Sequence, residues 1–286
     1  MQEGERMQVD YSRENLETIN PTTLRAMIVE RTHHTVEIQL YEALARGLGL
    51  SQDRGNNVRE MLAIWRERGL PMDPSATDWE WVRNLLGMAE RLSQGEEVAL
   101  SSFARQPLDE AGREVSSRLI FQRRSVRHWT EDRVPDWMID KIMEAGLWAP
   151  HGCNLCSLRF LVVREDNAPG LFRGSDIPGG PVHIVACQDR HAYYAQPGYV
   201  AHPDMLERNR LLDCGAAMQN MVLMAYALGL GGCWLTFRLD MIQRLRERFS
   251  LDEEIEIVTY LDVGFPAETP MPPGRMALEE TVIARV

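Results

Sequence analysis

Apolar residues in the first third of the chain fall at helical spacing. Leu24, Met27, Ile28, Val36, Ile38, Leu40, Tyr41, Leu44 and Leu48 form one stripe that runs up to Gly47 and Gly49, the i, i+3, i+4 recurrence of an amphipathic helix. Asn20-Pro21 supplies its start, an N-cap followed by a proline at the first helical position. A second helix is expected over about 57–68, stopped by Gly69 and Pro71. A third opens near Ser75 to Asp78, a capping-box pattern, and carries Trp79, Val82, Leu85, Leu86 and Met88. The first dozen residues, including Gln2, Glu3, Glu5 and Arg6, are expected to fray.

Beyond the polar stretches Ser93 to Glu97 and Gln106-Pro107 the pattern becomes mixed. Helices are expected over 110–123 and 136–147. Strands are expected at Arg159 to Arg164, Val182 to Cys187, Gly232 to Thr236 and Glu254 to Phe265, where β-branched and apolar residues cluster between Gly and Pro. From Asp213 to Leu228 a helix is apolar on nearly every side, which predicts burial and a place at a subunit interface.

At 286 residues the chain can bury a full core as one large or two small domains. A net charge of -11 disfavours nonspecific nucleic-acid binding, which needs positive potential. No apolar run reaches the roughly twenty residues of a membrane span, and no basic-then-apolar leader stands at the start, so a cytoplasmic protein without membrane contact is expected. The five cysteines are odd in number, and three lie in apolar stretches, which suits reduced thiols. Cys153-Asn154-Leu155-Cys156 has no second Cys/His pair at finger spacing, so no metal site is expected there.

Against this acidic background the run Arg123-Arg124-Ser125-Val126-Arg127 packs three guanidiniums and a hydroxyl into five residues, donors that match the oxygens of a phosphate monoester. It is followed by Ala149-Pro150-His151-Gly152-Cys153-Asn154, then by Gly229-Leu230-Gly231-Gly232-Cys233-Trp234, then by Pro272-Pro273-Gly274-Arg275 before Leu278-Glu279-Glu280. Taken in order, these segments resemble the FMN-dependent nitroreductase family, over about residues 116–286.

The resemblance implies an α+β nitroreductase-like fold, a central mixed sheet flanked by helices and dimeric, with residues 111–286 as the FMN-binding domain; residues 1–110, which it does not cover, are expected from their helical spacing to form an all-α extension. It implies that Arg123, Arg124, Ser125 and Arg127 grip the FMN phosphate and that Arg275 joins them from the C-terminal end. Asn154 would read the flavin pyrimidine; Trp234, Leu235 and Thr236 would present backbone to the isoalloxazine, with the Thr236 amide near N5. His191, Tyr193 and Tyr194 would lie over the open flavin face and stack on a planar substrate. The implied reaction is two-electron transfer through flavin N5, ping-pong, with NAD(P)H as donor and a nitroaromatic or quinone as acceptor. No catalytic side chain is demanded, because the cofactor carries the chemistry. FMN is expected over FAD because no Gly-rich dinucleotide turn follows an expected strand.

Two departures keep other readings open. The family commonly has Gln at the place of Cys156 and Pro-Trp at Ser157-Leu158, and the helical extension is additional. A specialised reductase or dehydrogenase of one metabolite fits these features, as does an interaction protein whose extension recruits a partner and whose flavin site is vestigial.

Overall fold

The computed structural model describes residues 9–174 and 179–286. The residues expected to fray lie, up to residue 8, outside them.

Five helices build the N-terminal region: α1 (Arg13–Thr18), α2 (Pro21–Arg31), α3 (Ile38–Arg46), α4 (Asn56–Glu67) and α5 (Thr77–Ser93). Asn20 caps α2 as its sequence predicts, its side chain accepting from the Thr22 amide at 2.8 Å. The single stripe expected up to Gly47 is interrupted by a π-helical turn, Thr32–Glu37. Thr32 and Thr35 hydroxyls donate to the carbonyls of Ile28 and Arg31 there, a form of back-bonding that loosens the α ladder. The capping box at Ser75 to Asp78 does not form. Ser75 hydrogen-bonds Asp73 at 2.8 Å, while Asp78 is drawn to Arg25, so α5 opens at Ala76 without a side-chain cap.

The second half follows as α6 (Glu110–Gln122), α7 (Asp136–Leu147), β1 (Leu158–Arg164), β2 (Val182–Asp189), α8 (Arg190–Tyr193), α9 (Pro197–Ala201), α10 (Pro203–Ala227), β3 (Gly231–Leu235), α11 (Leu239–Phe249), β4 (Ile255–Gly264) and α12 (Leu278–Thr281). Helix α10 starts ten residues before the expected Asp213. Pro203 takes the first helical position, and the following Glu, Arg, Leu and Met residues are good helix formers. Helix α11 is an addition, held on its outer face by the Asp240–Arg244 pair one turn apart.

The four strands lie in the order β1-β2-β4-β3, and all three pairings are antiparallel. Where a mixed sheet was expected, parallel pairing among the described residues is confined to the isolated bridge between Ser125 and Gly232. Strand β2 is buried along its whole length, so its alternate residues serve two cores. Val182, Ile184 and Ala186 face α7 and α10, meeting Ile142, Met218 and Met221. Val185 and Cys187 face α11, meeting Met241 and Leu245. A third core joins the helical extension to the rest: Leu24, Met27 and Trp79 pack in one cluster with Leu155, Tyr193, Tyr199 and Leu206. No described helix is long and apolar enough to cross a membrane.

Candidate functional site

The arginine run begins where α6 ends. Arg123, the C-cap residue, turns to extended backbone, and the chain is laid along β3 through the Ser125–Gly232 bridge, with the Val126 amide donating to the Gly232 carbonyl at 3.2 Å. Val126 is buried against Gly231, where an added Cβ would come within 2.7 Å of it. We expect Gly231→Ala to cost about 1–3 kcal/mol by overpacking and to weaken anion binding together with stability. A denaturant melt and an FMN titration check this; an unchanged midpoint would contradict it.

The C-terminal segment is stitched onto the same run. Thr130 donates to the Phe265 carbonyl at 2.8 Å, Ala267 to that of His128 at 2.9 Å, and the Glu268 carboxylate accepts the amides of Arg127 and His128 at 2.5 and 3.2 Å. This brings Arg275 towards Arg123. The guanidinium of Arg123 titrates below the ordinary arginine range, first because it is partly buried, then because Arg124 and Arg275 place their positive fields on it. The fields of Arg127 and Arg123 also reach the Cys233 thiol, whose burial nonetheless leaves it raised.

None of Arg123, Arg124, Arg127 and Arg275 makes an ion pair among the described residues. Arg124 folds back on the Phe121 and Arg123 carbonyls, both at 2.8 Å, which makes it the least available of the four. The guanidiniums of Arg127 and Arg275 bond, among the described residues, only to the carbonyls of Ser125 and Gly274. Cations from two distant segments without an ion-pair partner among the described residues, in a chain of net charge -11, are a donor set whose chemistry suits an anion.

Next along the edge strand comes Trp234, 43% exposed, its indole N–H donating to Thr259 Oγ1 at 2.6 Å. Leu235 is half-buried, and Thr236 is exposed one residue beyond β3. Gly232 and Thr236 are therefore about 13 Å apart along one strand direction.

Asn154 is not brought to this place. It sits on a short 3₁₀ turn, Gly152–Asn154, that leads into β1 at the opposite edge of the sheet. Leu158 pairs with Gln188, which pairs with Glu256, whereas Gly232 pairs with Val263. Seven residues along β4 and three strand spacings across correspond to about 23 Å and about 14 Å. Cys153, Asn154 and Cys156 all have positive φ, at 52°, 53° and 52°, a sparsely populated conformation for residues bearing a Cβ that must be held from outside.

Asp213 holds it. The buried carboxylate accepts the Gly152 amide at 2.9 Å and the Tyr193 hydroxyl at 2.8 Å, and Tyr193 in turn accepts from Ser157 at 3.2 Å. Tyr193 is fully buried, which corrects the expectation that it stacks on substrate: its ring belongs to the core under α2 and its hydroxyl is spent on Asp213. His191 is clamped beside it, its carbonyl accepting the Thr23 hydroxyl at 2.9 Å and its ring 3.1 Å from Asp189. Tyr194 is 38% exposed and donates to Glu254 at 2.8 Å.

Burial raises the Asp213 carboxyl above the ordinary carboxylate range, against the pull of Gly152 and Tyr193. The folded chain then binds this proton more tightly than the unfolded one, so the group's stabilising contribution is full below the ordinary value of 3.8 and falls as pH rises through the folded pKa. Asp213→Asn should compare worst with its parent near pH 4 and gain on it towards pH 7. Melting curves across that range check the sign, and a difference that does not vary with pH would contradict it.

A cavity of about 820 Å³ opens beside the Asn154 turn, between α2, the start of α5 and the segment from Leu147 to Arg159. Of the expected site residues, Asn154 lines it; Arg25, Asp78, Trp81, His151 and Arg159 do so without having been expected. Arg25, Asp78 and Trp81 come from the extension, which carries no motif that could have announced them.

The model of the nitroreductase family matches residues 120–265. A chain of Methanothermobacter thermautotrophicus named "Putative NADH dehydrogenase/NAD(P)H nitroreductase" is 31% identical over 170 residues, 55% of this chain and 83% of that one. A Thermus thermophilus NADH dehydrogenase is 27% identical over 190 residues, 57% and 93% of the two chains. The crystal structure of a "putative nitroreductase" of Desulfovibrio desulfuricans in complex with FMN is similar with a TM-score of 0.50 and 31% identity, covering 64% of this chain and 99% of that chain. A nitroreductase-like protein of Streptococcus mutans, 18% identical with a TM-score of 0.53, shares the fold over 61% of this chain and 98% of its own.

Proposed function

The chain belongs to the nitroreductase family, and we propose from that premise that it is an FMN-dependent oxidoreductase using NAD(P)H and an organic acceptor such as a nitroaromatic or a quinone. The observation that carries the proposal is the approach of Arg275 and Arg124 to Arg123, with Arg127 on the same run just past Ser125 and none of them ion-paired among the described residues. A phosphate monoester would relieve the mutual repulsion of these cations and take up their unused donors. The relative from D. desulfuricans binds FMN, and the donor set found here suits that cofactor's phosphate.

In this reading Ser125 and the three arginines hold the phosphate, while Trp234, Leu235 and Thr236 offer the ring system a strand edge beyond it. Bound FMN would supply two-electron transfer between donor and acceptor. The protein's own part is to bind, orient and neutralise: the exposed β3 edge fixes the plane, and the guanidiniums balance the phosphate charge. No side chain is asked to move a proton.

The separation of Asn154 from the arginines leads to a dimer. If Asn154 reads the flavin, it does so for a second copy of the chain, whose arginines it would face across the interface. Support comes from apolar side chains left exposed on α6 and α10, namely Val115, Ile120, Phe121, Leu211 and Leu212, and on the C-terminal segment, Met271, Met276 and Ile283. Light scattering should give a dimer, and a flavin-loaded monomer at micromolar concentration would refute it.

The deciding experiment for the function is the absorption spectrum of the purified chain, with added FMN or FAD, followed by anaerobic NADH and NADPH. Uptake of FMN and bleaching by one of the nucleotides are expected. A colourless chain that refuses FMN would overturn the proposal.

A further inference from the structure

We infer that the cavity between the helical extension and the Asn154 turn recognises planar aromatic carboxylates, with Arg25 as the charge-reading residue and Trp81 as a stacking wall. Its volume, about 820 Å³, lies in the range of small-molecule sites. As an acceptor site it rests on the flavin reading above, because it is Asn154 that links the cavity to the cofactor; as a binding site it stands on its own geometry.

The lining carries two indoles, Trp81 from α5 and the exposed Trp148 just past α7, and is apolar at Ala26, Leu155 and Leu158. Its polar groups are pinned before any ligand arrives. Arg25 gives Nε and Nη2 to Asp78, both at 2.7 Å, and lies 4.9 Å over the Trp79 ring, which leaves Nη1 with no hydrogen bond among the described residues. Arg159 gives Nη1 to the carbonyls of Cys156 and Leu158 at 2.9 Å and pairs ionically through Nη2 with Asp189 at 3.1 Å, which leaves Nε.

Of the two acids that line the cavity, Asp78 is spent on Arg25, and Glu144 is spent on Lys141. His151 is held below the ordinary histidine range, chiefly by burial and against the field of Asp213, and its Nε2 is buried without a partner. Among the ionisable groups the unused capacity is donating, Arg25 Nη1 and Arg159 Nε next to an α5 terminus that has no side-chain cap, against one imidazole nitrogen, while the Asn154 amide and the Thr22 and Thr77 hydroxyls can each donate and accept. Donors already held in place, in a lining that carries two indoles, suit a flat ring carrying a carboxylate, since little ordering cost remains at binding.

Benzoate and benzamide, the same ring with and without the charge, separate this from a merely apolar hole. Calorimetric titration of the wild-type chain should show benzoate binding at least tenfold tighter than benzamide. In the double variant Arg25→Met, Asp78→Asn, which removes both partners and leaves no stray carboxylate, that preference should vanish. Trp81→Ala should weaken both ligands alike, and it serves as the second variant should the pair fold poorly. Equal affinities for the two ligands, or no binding of either at millimolar concentration, would overturn the inference. A chain that takes up FMN yet ignores benzoate refutes the cavity alone, whereas benzoate binding without FMN uptake upholds the cavity and sinks the flavin reading.

Discussion

Replacing Arg123 with Met should leave the flavin-free chain at least as stable as before while removing most of what FMN adds to it. The two effects have opposite signs because the free site is a repulsive arrangement. Burial and the neighbouring Arg124 and Arg275 all oppose the charge on Arg123, so deleting that charge relieves a cost in the empty protein. Methionine keeps much of the apolar stem that packs there. With a phosphate monoester bound, the same deletion loses a charge-assisted hydrogen bond worth about 1.5–3 kcal/mol, roughly a ten- to 150-fold rise in Kd. Because a ligand stabilises the fold by RT ln(1 + [L]/Kd), the melting shift produced by FMN should shrink accordingly. Arg124→Met is the comparison, since its guanidinium already bonds to the Phe121 and Arg123 carbonyls, and its effect should be smaller. Melts with and without FMN, beside a fluorescence titration, decide it. A free chain weakened by Arg123→Met, with its FMN shift intact, would mean that the arginine serves the fold and not an anion.

What could be foreseen from sequence follows the reach of the forces involved. Helix α7 and the strands were legible because their signals are local: a run of β-branched and apolar residues broken only by His183 from Val182 to Cys187 for β2, and a Pro-Asp start followed by helical spacing for α7. The approach of Arg275 to the run from Arg123 to Arg127 could be expected only from the coincidence of the two segments, and Glu268, the carboxylate that stitches them together, gave no signal. Failures came where a distant partner outbid a local one. Asp78 abandons its capping box for Arg25, 53 residues away, and Tyr193 exchanges an exposed loop for the Asp213 carboxylate. The placement of Asn154 away from the arginines depends on strand order, which no residue pattern announces.

The largest loss is expected from removing residues 1–110, because the extension does not have a core of its own to take away. Leu155, Tyr193, Tyr199 and Leu206, between 0% and 7% exposed, are packed in the same cluster as Leu24, Met27, Ile64 and Trp79. At about 1.5–3 kcal/mol for each large side chain uncovered, four of them represent roughly 6–12 kcal/mol, comparable with the whole stability of an ordinary domain. Polar ties go with them: the Thr23 hydroxyl on the His191 carbonyl at 2.9 Å, and Gln196 on the buried carboxylate of Glu30 at 3.4 Å. The damage should be local at first. Tyr193 would lose its cover, Asp213 its best donor, and the left-handed turn at Cys153 and Asn154 its support, whereas Val126 and Gly231, which seat the arginine run on β3, lie outside that cluster. Residues 111–286 expressed alone should therefore melt without a cooperative transition, be cleaved by protease between about 150 and 206, and regain protection when residues 1–110 are supplied in trans. A truncated chain with the parent's melting temperature and digestion pattern would show that the extension is a detachable module, and the cavity it walls would then lose its claim to select the acceptor.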